Sequence, residues 1–151
     1  MLASLLLVAA LQAQAPDTSL ENAIALVRSD VRANKATIIG RALALPDSES
    51  QVFWPLYREF EAETAKLWDE RLKLVRDYVA AYDTLSDARA REFVQRAFDI
   101  DEQRVKLNRS TYKAMSKKLP GKTVAHFFQV DGFLNRVIEL KVVSALPEVR
   151  R

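Results

Sequence analysis

Hydrophobic positions along this chain fall into four runs of helical spacing, divided by three short polar breaks. In the first run, Leu20, Ile24, Val27, Val31 and Ile38 trace one apolar stripe, and Ile39 and Leu43 widen it. Glu21, Arg28, Arg32 and Lys35 occupy the opposite side. Asp17 or Ser19 can cap this helix, and Pro46 disfavours a helical Leu45, so the helix is predicted to end near Ala44. The second run places Phe53, Tyr57, Phe60, Leu67, Leu74 and Tyr78 on one face, with Trp54, Trp68 and Val75 alongside. It opens on Ser48 and Gln51, the spacing of a capping box, carries Pro55 as an expected kink, and extends to about Tyr82. Ser86 caps the third run, whose expected buried face is Val94, Ala97, Phe98, Val105, Tyr112, Met115 and Leu119. The fourth run starts at Pro120, buries Val124, Phe127, Phe128, Leu134, Val137, Ile138 and Val142, and stops at Pro147, leaving a frayed tail. Gly132 lies inside this run, where it marks a close helix approach or a local break.

The breaks at either end of the middle two runs share a design. Leu45-Pro46 and Leu119-Pro120 are each followed by six variable positions and then an aromatic pair, Phe53-Trp54 and Phe127-Phe128. Each joint starts a helix and sends its aromatic pair towards a common core. The predicted architecture is therefore all-α, four long helices in helical hairpins, forming a cradle or an elongated bundle.

Composition narrows the picture further. With three Gly and five Pro in 151 residues, a fold with many hairpin turns is excluded, and the length suits one domain. The absence of cysteine removes thiolate metal sites, disulfides and thioester chemistry. Residues 2–11 are almost wholly apolar and are followed by Gln12-Ala13-Gln14-Ala15-Pro16, the layout of a secretory signal cleaved after Ala13 or Ala15. The apolar run is about half the ~20 residues that a membrane-spanning helix needs. The expected organisation is a signal peptide at 1–15, then a single helical domain at 16–151, in a periplasmic or secreted protein without a stable membrane anchor.

The chemistry-bearing residues are sparse. A di-iron bundle needs Glu-x-x-His from two helices, and His126 is the sole histidine. No Gly-rich phosphate loop or activated nucleophile is present, so no catalytic residue, metal or cofactor is assigned and no enzymatic activity is expected. From Arg104 to Lys122 there is no acidic residue, and Lys106, Arg109, Lys113 and Lys117 recur at spacings of three and four, which puts them on one helix face. That stripe suits acidic protein segments rather than nucleic acid. Trp54, Trp68 and Met115 are the expected apolar contact residues beside it, since a thin helical assembly has too little interior for every aromatic.

At the two joints the chain resembles the Spy/CpxP-like periplasmic proteins, which open helices with Leu-Thr-x-x-Gln. The matching segments are Leu45-Pro46-Asp47-Ser48-Glu49 and Leu119-Pro120-Gly121-Lys122-Thr123, with Pro for Thr twice and Glu49 and Thr123 in place of Gln. The resemblance implies a homodimer of long helices forming a curved cradle. It also implies a role as an ATP-independent holdase for unfolded clients or as an adaptor of an envelope-stress sensor. The segment Phe53-Trp54-Pro55-Leu56-Tyr57 is similar to one in a family of exported bacterial proteins of unassigned activity.

Overall fold

In the computed structural model, residue 25 and residues 32–149 are described. The expected signal segment and the stripe from Leu20 to Val31 lie outside the described residues. Four helices follow in order: α1 (Arg32–Leu43), α2 (Asp47–Ala81), α3 (Asp87–Ser116) and α4 (Gly121–Val143), with a 3₁₀ turn at Tyr82–Thr84. Among the described residues there is no strand. At about 1.5 Å per residue, the 35 residues of α2 span roughly 50 Å, so the assembly is elongated.

Ion pairs and ring contacts define the directions of the helices. Arg96 meets Asp77 at 2.9 Å and Arg71 meets Asp101, so α3 runs antiparallel to α2. Phe53 touches Phe127 near the start of α2 and α4, and Trp68 clusters with Ile138 and Val142 further along, so these two helices run parallel. Lys35 of α1 reaches Asp131 of α4 at 2.8 Å, with Ile39 in the cluster around Phe127. The layout is up-down-up-down, with both Leu-Pro joints at one end.

The joints meet each other. Thr123 Oγ1 donates to Glu49 Oε2 at 2.7 Å, and these residues hold equivalent places in the two joints, 74 positions apart. Phe53 and Phe127, equally equivalent, are fully buried edge-to-face with ring centroids 5.4 Å apart. Contacts between equivalent residues place an approximate two-fold axis between α2 and α4. Ile39, Tyr57, Phe60, Met115, Leu119 and Val124 complete this core, in which each fully buried large side chain contributes about 1.5–3 kcal/mol.

Helix ends follow the local chemistry, with one change. Ser86 caps α3 by accepting from Arg89 N at 3.3 Å, as its position predicts. The box expected at Ser48 and Gln51 does not close: α2 begins at Asp47 behind Pro46, with no side-chain cap. Proline already supplies a fixed φ and a carbonyl there, and that carbonyl accepts from Glu49 N and Ser50 N. Glu49 is left to join Thr123. Pro55 lies within an uninterrupted α2. At the end of α1, Ala44 adopts φ +42°, the left-handed conformation that closes a helix and favours glycine.

Candidate functional site

On α3, the buried stripe is displaced from the expected one. Phe93, Ile100, Thr111 and Met115 face the core, with Ala97, Arg104 and Leu107 half-buried between them. Val94, Phe98, Val105 and Tyr112, expected inside, are all at least half exposed, Phe98 at 58%. On α4, Phe133, Leu140 and Val143 are likewise exposed, Phe133 at 64%. Large apolar side chains on two neighbouring helices are thus left in water.

Between α2, the first half of α3 and the last half of α4 lies an open groove of about 450 Å³. Trp68, Val75 and Tyr78 form its floor, Phe93, Val94 and Ala97 one wall, and Val142 and Val143 the other. Its upper end is polar. Arg71 pairs with Asp101, and the Arg104 guanidinium stacks 4.9 Å from the centre of the Trp68 ring. Arg104 Nη1 lies 3.4 Å from Glu139, while its Nε and Nη2 are buried without a hydrogen-bond partner. At the lower end the chain leaves α4 after Val143, and Leu146 lines the groove. There Tyr78 donates its hydroxyl to the Pro147 carbonyl at 2.9 Å, and Tyr82 donates to the Glu148 carbonyl at 2.6 Å. The tail expected to fray is strapped down through its backbone. Burial, with Tyr82 nearby, raises the Tyr78 phenol above its ordinary pKa.

The basic residues Lys106, Arg109 and Lys113 on α3 and Lys117 just past its end are all exposed, with Lys106 3.9 Å from Glu102. The apolar contact residues expected beside them need correction. Met115 is fully buried and Trp68 is 3% exposed, so neither forms an exposed client surface. Met115 falls where α3 turns into the joint and packs among Phe53, Phe127 and Leu119, and Trp68 is closed in by Ile138, Val142 and the Arg104 stack. Trp54 is half-buried, resting 3.3 Å from the site of a Cβ on Gly40 and edge-on to Tyr57.

One polar cluster escaped the pattern of the sequence. Lys35, assigned to the solvent face, is 2% exposed. Its ammonium donates to Glu61 Oε2 at 3.0 Å and sits 2.8 Å from Asp131 Oδ1, near enough for an ion pair though off the line of a hydrogen bond. Asn135 Nδ2 donates to the other Asp131 oxygen at 2.8 Å. Burial, with the Glu61 and Asp131 carboxylates close by, holds the Tyr57 phenol well above its usual range. The signal for this cluster was Asp131 itself, an acid at helical spacing from Val124, Phe127, Leu134 and Ile138. These charges tie α1 to α2 and α4.

His126 is exposed, and among the described residues no group of three or more His, Cys, Asp or Glu is placed to hold a metal ion. No helix among the described residues is long and apolar enough to cross a membrane. No family model matches the chain, and neither curated proteins nor solved structures give a significant match.

Proposed function

We propose that this chain is an exported, non-enzymatic protein-binding module of holdase type, working as a homodimer that holds apolar segments with acidic flanks in unfolded proteins. The observation that carries the reading is the open apolar groove, with exposed Val94 and Val143 in its walls. A contiguous apolar groove open to solvent marks a site of interaction. The acid-free run with Lys106, Arg109, Lys113 and Lys117 supplies a field for acidic flanks. The apolar lead at residues 2–11 and the cysteine-free composition fit an envelope location, and the paired Leu-Pro joints fit a Spy/CpxP-like relationship.

The test is an aggregation assay with several unrelated unfolding proteins and stoichiometric amounts of the chain from Pro16 onward. The expected result is slowed aggregation, weakened by Val143→Asp and by a Lys106→Glu/Lys113→Glu double variant whose helicity is intact. No protection of any client by the folded protein would end the holdase reading. A single crosslinked partner in a cell-envelope pull-down would then replace it with the adaptor reading.

A further inference from the structure

The tail after α4 packs at one end of the groove. Residues 147–149 have no regular secondary structure, and the first two are anchored by Tyr78 of α2 and Tyr82 of the 3₁₀ turn. Tyr78 and Tyr82, one helical turn apart, offer their hydroxyls to two consecutive carbonyls. Their rings meet edge-to-face at 5.9 Å, and Tyr78 meets Phe93 in the same manner at 5.8 Å, so three aromatics form a continuous shelf. Leu146, just before, packs into the cluster of Trp68, Leu72, Val75, Ile138 and Val142. Apolar insertion of Leu and carbonyls read by hydroxyls on an aromatic shelf suit recognition of an extended, proline-containing segment. Proline suits this mode because its fixed φ lowers the cost of ordering the segment, and it brings no amide hydrogen that would need a partner.

The tail fills only one end. The groove above Leu146 stays open up to the Arg71–Asp101 pair and Glu139. A longer extended segment can run along this floor. We propose that the groove is a binding site for extended, Leu-Pro-containing apolar peptide segments of other proteins, and that the chain's own Leu146-Pro147-Glu148 is its resident, competing occupant. This inference deepens the protein-binding reading by naming the site, the ligand chemistry and the self-contact that regulates it. It does not depend on the basic stripe.

A fluorescent peptide Ser-Ala-Leu-Pro-Glu-Val, copied from residues 144–149, provides the probe. Its binding is measured by anisotropy to the wild-type chain, to Leu146→Ser and to a chain ending at Ser144, with circular dichroism confirming helicity. Leu146→Ser removes the apolar plug of the tail and leaves the groove side chains of the three helices untouched, so it keeps the test open if truncation unfolds the chain. The expected result is weak binding to wild type and about tenfold tighter binding to Leu146→Ser. Adding Tyr78→Phe to that variant should weaken binding several-fold, and a Leu→Ser peptide should not bind. Equal affinity for wild type and Leu146→Ser, or equal affinity of the two peptides, would overturn the proposal. Aggregation protection that saturating peptide does not reduce would overturn it while leaving the holdase reading in place. Peptide binding without general protection would sink the holdase reading alone.

Discussion

Two residues sit in conformations that suit each other's side chain better than their own. Ala44 holds a left-handed φ of +42° at the end of α1, a conformation that costs an L-residue with a Cβ roughly 1–2 kcal/mol. Gly132 lies within α4 with nothing within 4 Å of where a Cβ would stand, so it serves neither a close approach nor a break. Ala44→Gly and Gly132→Ala are each expected to raise stability by about 0.5–1 kcal/mol, additively, in urea titrations. Lys35 behaves oppositely, because its charge is buried against Glu61 and Asp131. Lys35→Met leaves Asp131 buried and unpaired, which should cost about 3–5 kcal/mol. Adding Asp131→Asn removes that charge while keeping an acceptor for Asn135, and the double variant should regain a substantial part of the loss. Equal instability of single and double variants would show that the methyl-thioether packing, not the charge, is at fault.

The helices show which patterns a sequence makes legible. Helix number, order and approximate ends could be read from apolar spacing and from Pro46, Ser86 and Pro120, because these act locally. Which face of α3 is buried could not. Val94, Phe98, Val105 and Tyr112 form as regular a stripe as the true one, and the true one is diluted by Ala97, Arg104 and Thr111. Lys35 was illegible for a related reason: its partners Glu61 and Asp131 lie on other helices, far along the chain. The groove and its tail were hidden because they depend on where α4 ends relative to Tyr78 and Tyr82, a tertiary fact. The uncovered stripe of α3 has its own consequence for the proposed dimer. Val94, Phe98, Asp101, Val105, Asn108 and Tyr112 alternate at spacings of four and three, a coiled-coil seam flanked by acids at Asp99 and Glu102 and by bases at Lys106, Arg109 and Lys113. An antiparallel register centred between Val105 and Lys106 would place Glu102 opposite Arg109 twice. Glu102→Arg or Arg109→Glu alone should therefore raise the dimer dissociation constant about tenfold in sedimentation equilibrium, and the double reversal should restore it. Only Val94 and Asp101 belong to both seam and groove, so peptide binding should survive these charge reversals.

At the scale of the molecule, the deciding feature is that neither hairpin owns a core. Phe53 and Tyr57 on α2 are buried against Phe127 on α4, and Met115 and Leu119 share a cluster with Ile39 of α1. The second cluster joins Trp68, Leu72 and Val75 of α2 to Ile138 and Val142 of α4, and the third joins Leu74 of α2 to Phe93 and Ile100 of α3. Every cluster crosses the Tyr82–Thr84 turn, and so do the Thr123–Glu49 bond and the Lys35–Asp131 pair. A chain cut in that turn should yield two fragments that are each poorly helical, because an isolated amphipathic hairpin gains little from propensity alone. Mixed at equal concentration, they should recover the helical circular dichroism of the intact protein with a one-to-one end point. The added cost is the loss of a covalent connection, so recovery depends on concentration. The aromatic contact at the approximate two-fold axis sets the dependence: Phe127→Ala in the second fragment removes the ring that Phe53, Tyr57 and Phe60 all touch. That substitution costs about 3–5 kcal/mol in a core, enough to move the association midpoint by about two to four orders of magnitude. Strong helicity in either fragment alone, or complementation unaffected by Phe127→Ala, would mean that each hairpin folds by itself and that the two-fold contact is incidental.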